Sequence, residues 1–137
     1  MSALKAHELL KKKEISTSEI SESSIQRIEE VDEVLNALPE RYFARAREVA
    51  NNIDKNISSK FQPNLLGLPI AVKDYNDLSG VRTTYGSTIF KNNIPKDSDR
   101  TIKLLERNGA NPVAKSNVPE WAGGHTFNPV NGLTRNP

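Results

Sequence analysis

Cysteine is missing from all 137 residues, which rules out disulfides, thiolate metal sites and a cysteine nucleophile together. Long apolar runs are missing as well: nothing approaches the ~18 consecutive apolar residues that a membrane span needs. The first residues, MSALKAHELLKKKE, have no apolar h-region and carry their charge on the wrong side for a signal peptide. The cytoplasm is therefore the expected setting, with no membrane partner. Surplus charge is scarce, since nineteen basic residues face seventeen acidic ones and leave +2. That is too near balance to imply nucleic acid. The one basic run, Lys11 to Lys13, fits the exposed end of a helix, where cations complement the dipole. Aromatics make up 6%, and Trp121, the single tryptophan, is expected in the core. Neither G-x-x-x-x-G-K-S/T nor G-x-G-x-x-G occurs, so nothing supports nucleotide binding. His7 and His125 stand 118 positions apart without a carboxylate pair nearby, and neither a metal nor another cofactor is expected. Asn56-Ile57-Ser58 matches the glycosylation pattern, a chance match in a chain without a secretory signal.

What is present divides near residue 62. A hydrophobic fraction of 36% and a mean hydropathy of -0.59 are low for an ordinary domain, which suggests solvated helices around a modest core, or a piece cut from something larger. Residues 1–62 read as a helical arm and residues 63–137 as the start of an α/β core. A short helix over 3–13 carries Leu4, Leu9 and Leu10. Ser16-Thr17-Ser18-Glu19 has the form of a capping box. Ile20, Ile28, Val31, Leu35 and Leu38 then recur at helical spacing, with Glu29, Glu30, Asp32 and Glu33 on the solvated faces. Pro39 suits the first turn of a third helix, whose stripe is Tyr42, Phe43, Ala46, Val49, Ala50, Ile53 and Ile57. The two long helices look like an antiparallel pair.

From residue 63 the pattern changes. LPIAV at 68–72 has strand length and no alternation, as a strand covered on both faces would. A loop rich in Asn, Asp, Ser and Gly follows. Pro95 and Asp97-Ser98-Asp99 open a helix carrying Ile102, Leu104 and Leu105, and Gly109 stands at its expected left-handed stop. PVA at 112–114 forms a second strand, and Val118 to Ala122 have the length of one helical turn. Strand, connection, helix, strand is the pattern of a parallel crossover. The final GGHTFNPVNGLTRNP reads as loop.

In an open parallel sheet, ligands bind beyond the carboxyl ends of the strands. Lys73 and Lys115 both fall there. Such a lysine can hold an anion, form a Schiff base or act as a base. The last role asks most, because with a reference pKa near 10.4 only about one lysine in 2,500 is neutral at pH 7. Ile70, Ala71 and Val72 supply apolar surroundings for Lys73, and strand alternation turns Asp74 away from it. The residues alone favour a solvated strand-end lysine and do not choose between the two. Gly123-Gly124 could let a backbone approach a ligand, or form a plain turn.

The blocks GLPIAVKD (67–74), GVRTTYGS (80–87), RNGAN (107–111), KSNVPEWAGGHTFNPVNG (115–132) and TRNP (134–137) resemble, in order and separation, the amidase signature family. The helical arm is similar to that family's N-terminal arm, so the resemblance covers nearly the whole chain. It implies an incomplete amidase-signature α/β/α sandwich, with the helical arm followed by the first strands of a mixed sheet. It also implies hydrolysis of a small-molecule carboxylic amide by a Ser–cis-Ser–Lys triad through an acyl-enzyme. Lys73 takes the position of the catalytic lysine, expected to be a buried, neutral base. Asp74, Lys115, Ser116 and Asn117 are implied as structural support beside the site, and Gly123, Gly124 and Thr126 as possible pocket-lining residues.

The sequence departs from the family pattern at Ala114, where glycine is usual, at Pro112 within a strand, and at Asn131 in place of an aromatic. The Gly/Ser-rich segment bearing both triad serines is expected after TRNP. Ser79, Ser87, Ser98 and Ser116 lack its glycine-flanked context. The chain is thus expected to be the N-terminal part of an amide hydrolase, inactive by itself. The alternatives are the amidase subunit of a tRNA-dependent amidotransferase and a non-catalytic interaction module.

Overall fold

The computed structural model describes residues 1–57, 63–124 and 126–137; residue 62 of the expected boundary, Ser58 of the glycosylation triplet and His125 lie outside the described residues. Helix α1 spans Ala3–Lys11 and α2 spans Thr17–Leu35. The capping box forms as expected, with Ser16 Oγ accepting from the Glu19 N–H and the Glu19 carboxylate accepting from the Ser16 N–H at 2.7 Å. Helix α3 spans Phe43–Asn56 and runs antiparallel to α2. Asp54 near its end accepts from the N–H groups of Thr17 and Ser18 at 2.8 and 2.9 Å, while Arg47 pairs with Glu22 at 2.8 Å. No described helix is long and apolar enough to cross a membrane.

The third helix starts later than Pro39 suggests. Glu40–Arg41 instead form strand β1, which pairs antiparallel with β3, Asn111–Ser116. Strand β2, Pro69–Lys73, pairs with the other side of β3 in parallel, as the crossover pattern predicts. The three-stranded mixed sheet has the order β1-β3-β2, so the helical arm contributes a strand to it. Between the parallel strands the register steps from Ile70↔Pro112 to Ala71↔Ala114, leaving Val113 as an extra residue. Pro112 has no N–H to donate, and the bulge absorbs it.

Within the described residues β2 is not covered on both faces: Ala71 and Lys73 are exposed while Val72 is buried. Alternation turns Val72 and Ala71 to opposite faces. Val72 packs with Leu78, Val81 and Ile102, the last from α4, Arg100–Arg107. On the other face Val113 and Ala114 pack with Ala46 of α3, backed by Ile28 and Leu38. Helices therefore sit on both sides of the sheet, the layering of an α/β/α sandwich. Leu4 and Leu104 are exposed and belong to neither cluster.

Asp32 is buried, not solvated. Its carboxylate accepts from the N–H groups of Ala37 and Leu38 and pairs with Arg41 at 3.0 Å, closing the turn after α2. Gly109 has φ +85°, the left-handed stop expected of it. Asp99 at the start of α4 makes no side-chain cap; its carboxylate instead accepts from Asp77 N–H at 3.0 Å. The C-terminal stretch contains a hairpin, β4 at Phe127–Asn128 and β5 at Gly132–Leu133.

Gly67 lies at φ +79°, and a Cβ there would meet Thr17 Cγ2 at 2.0 Å. Gly67→Ala is expected to cost about 3 kcal/mol, from the left-handed backbone and from overpacking against a buried β-branched side chain. Urea unfolding of parent and variant measures it. A loss under about 1 kcal/mol would mean that α2 and the preceding loop yield freely.

Candidate active site

The two strand-end lysines project to opposite faces of the sheet. Register pairs Val72 with Lys115 and Lys73 with Ser116, so alternation groups Lys115 with Val72 and Lys73 with Ser116. Asp74 falls on the side of Lys115, away from Lys73, as the sequence suggests. Its carboxylate lies 3.5 Å from Lys115 Nζ.

Burial separates the two lysines opposite to expectation. Lys115 is 0% exposed and Asp74 2%. The loop after β2 folds over them, and Lys115 Nζ donates to Asn76 O and, at 2.8 Å, to Thr83 Oγ1. Asp74 accepts from Thr84 N–H at 3.1 Å and from Thr84 Oγ1 at 2.5 Å. Burial pulls the Lys115 ammonium below the usual lysine range, against the opposing pull of Asp74. Sequence reasoning misses Thr83 and Thr84 as neighbours of this pair. Two adjacent threonines give no local sign that they will face a buried ion pair.

Lys73 is exposed. Ile70, Ala71 and Val72 do not enclose it within the described residues. Its Nζ lies 4.8 Å from the centroid of the Tyr75 ring, a cation–π distance. The Tyr75 hydroxyl donates to Pro119 O and accepts from Ala122 N–H at 2.5 Å. Sequence reasoning misses Tyr75 too; a lone tyrosine after Lys-Asp carries no motif.

Ser116, the register partner of Lys73, is half-buried, and its carbonyl accepts from Asp74 N–H at 3.1 Å. Asn117 joins β3 to the hairpin. Its Nδ2 donates to Thr134 Oγ1 at 2.9 Å and its Oδ1 accepts from Asn128 Nδ2 at 2.6 Å. Gly123, Gly124 and Thr126 are exposed. Gly123 N–H donates to Glu120 O at 2.9 Å, ending the short 3-10 turn Glu120–Ala122. The structure connects this turn to Lys73 through Tyr75 rather than directly.

Trp121 is 57% exposed, not a core residue. Its indole stacks on Tyr85 at 6.0 Å and 2°, with Phe90 edge-on at 5.5 Å. Burial and the bond of its hydroxyl to Asp77 push Tyr85 up to about 12, so the ring stays an uncharged partner. His7 Nε2 lies 2.8 Å from Asn64 O.

The sequence model of the family described as Amidase matches residues 19–137. The chain belongs to the amidase family. It is 39% identical over 132 residues to a glutamyl-tRNA(Gln) amidotransferase subunit of Geotalea daltonii, covering 96% of this chain and 27% of that protein. The same subunit from Geobacillus kaustophilus is 38% identical over 133 residues, again covering 96% and 27%. Among solved structures, a bacterial aryl acylamidase of the amidase signature enzymes superposes with a TM-score of 0.89 at 28% identity, covering 99% of this chain and 29% of that one. A chain from a vestigial protein complex linked to the origins of an s-triazine catabolic enzyme gives 0.92 at 30% identity, covering 100% and 31%. The chain thus spans roughly a quarter to a third of the length of these relatives, and its layers are part of the amidase-signature fold.

Proposed function

We propose that this amidase-family chain carries the lysine of an amide-hydrolysing site. Lys73 is the base of a Ser–cis-Ser–Lys triad whose two serines lie outside these 137 residues. The uncharged Lys73 amine takes a proton from the bridging serine, which takes one from the nucleophilic serine. The nucleophile's Oγ then bonds to the amide carbon. As the carbon–nitrogen bond breaks, the relayed proton passes to the leaving nitrogen, and ammonia or an amine departs. Water, losing its proton along the same relay, releases the acid from the acyl-enzyme.

What supports this reading most is the division of labour between the faces. Lys115 and Asp74 satisfy each other on one face; Lys73 stands at the carboxyl end of β2 on the other, open toward a ligand. An amine held in water keeps its proton at neutral pH, so the base role further requires that the open face be covered by protein and substrate. Asp74, Lys115, Ser116 and Asn117 hold the strand ends, and Gly123, Gly124 and Thr126 line the approach. The 137 residues alone are inactive, and the setting is the cytoplasm.

A second reading has its own observation: relatives 34–39% identical are named as one subunit of glutamyl-tRNA(Gln) amidotransferase. Both readings share amide cleavage and differ in whether a partner protein and a charged tRNA are needed. Ammonia release by the native-length protein is measured with simple carboxylic amides, alone and with the partner protein and glutamyl-tRNA. Release without either addition is expected. Release only with them selects the second reading, and none under any condition sinks both.

A further inference from the structure

We propose that Tyr75 is a positioning residue: its ring lies under the Lys73 side chain and limits where the amine can move, its hydroxyl fixes the 119–122 turn, and one side chain thereby sets the base and the Gly123-Gly124 loop relative to each other. The inference rests on the base role of Lys73 argued above.

The turn is where the backbone shows that something is being held. Trp121 has φ 48° and Ala122 φ 63°, two successive non-glycine residues in the left-handed region. A side chain with a Cβ disfavours that region. Such a conformation persists only where the surroundings over-determine it, and these conformations cluster where function needs a fixed shape. Both residues have their N–H groups captured. Trp121 donates to Tyr85 O at 3.3 Å, and Ala122 donates to the Tyr75 hydroxyl at 2.5 Å and to Pro119 O at 3.3 Å. The same hydroxyl donates to Pro119 O, so it clamps both ends of the turn.

Both tyrosines lead back to the lysine's own stretch of chain. Tyr75 follows Lys73 by two residues and lies under its amine at 4.8 Å. Tyr85 N–H donates to Asp74 O at 3.1 Å, and its ring carries the Trp121 indole. The turn is therefore registered against the end of β2 from two sides, and only Tyr75 also touches Lys73. A base displaced by about 1 Å can lose on the order of 10²-fold in rate, so a side chain that fixes the amine's place has kinetic weight without taking part in the chemistry.

Two substitutions separate the two contacts. Tyr75→Phe removes the hydroxyl and keeps the ring, whereas Tyr75→Leu removes both. In the native-length protein labelled at lysine, the ring should shift the Lys73 ε-methylene protons upfield. That shift is expected to survive in Tyr75→Phe and vanish in Tyr75→Leu. Hydrogen exchange at Ala122 N–H should quicken at least tenfold in Tyr75→Phe. For amide hydrolysis, kcat should fall at least tenfold in Tyr75→Leu, with Tyr75→Phe between it and the parent and KM changed less than kcat. An unshifted Lys73 in the parent, or a kcat in Tyr75→Leu within twofold of it, overturns the proposal. Should Tyr75→Leu not fold, Tyr75→Phe decides alone: unchanged Ala122 exchange overturns it, and faster exchange with Lys73 still shifted supports it. Lys73→Ala is run alongside. If that variant stays active the base role itself has failed, whereas loss of activity there with an indifferent Tyr75→Leu sinks only the present inference.

Discussion

Replacing Lys115 by methionine should cost the folded protein about 3–5 kcal/mol, the usual penalty for leaving one partner of a buried ion pair alone. The amine is 0% exposed and its carboxylate partner, Asp74, 2%. Removing it leaves that carboxylate, among the described residues, with the N–H and hydroxyl of Thr84 as donors. It also strips Asn76 O and Thr83 Oγ1 of their shared donor. Adding Asp74→Asn to Lys115→Met removes the second charge and should recover a large part of the loss. The pH dependence has a definite sign. Burial holds the folded pKa of Lys115 below its ordinary 10.5. Between that lowered value and the unfolded one, the unfolded chain binds a proton that the folded chain has given up. Stability must then rise with pH across this window. Below it both states are protonated and this group adds no slope. Urea unfolding of parent and Lys115→Met in the native-length protein, at neutral pH and at several values approaching 10.5, reads both effects. A loss under about 1 kcal/mol at neutral pH, or a parent that weakens relative to the variant as pH rises, would show that the pair is not shut away from water.

The features legible in the sequence are those whose partners lie close along the chain. Ser16 and Glu19 cap α2 from three residues apart, and Gly109 ends α4 by its own backbone freedom. The apolar runs around Ile70 and Val113 point to a parallel pair because length and composition alone mark a short strand. Features set by distant partners stay hidden. Nothing in Glu40-Arg41 resembles a strand, which exists because β3 offers its free edge there. Asp32 looks solvated on a helical wheel and is buried because Arg41 and the turn after Leu35 fold back on it. The hairpin around Asn131-Gly132 reads as loop in the sequence, although Gly132 at φ +80° closes it opposite Asn128.

The lysines show the same limit most plainly. Both end apolar runs, and the local pattern treats them alike. Which one is buried is settled by the loop from Tyr75 to Asp99, which folds Thr83 and Asn76 over Lys115 and leaves Lys73 on the other face. Family resemblance, not residue pattern, singles out Lys73, and it does so by chemical role. Within the described residues the Lys73 side chain is exposed.

Lys73→Ala should therefore lower amide turnover by about 10³-fold in the native-length protein, since general-base assistance contributes about 10²–10⁴. Among the described residues the amine lies 4.8 Å from the centroid of the Tyr75 ring. Truncation also leaves room where the amine stood. A small primary amine added from solution can then take the proton in its place, with an effect that grows as its basicity rises. The decisive measurement is the rate of acyl-enzyme formation by native-length Lys73→Ala, with and without added alkylamines. A drop of about 10³-fold, partly restored by the amines in order of their basicity, is predicted; a variant that keeps acylating within tenfold of the parent would contradict the assignment of Lys73 as the base.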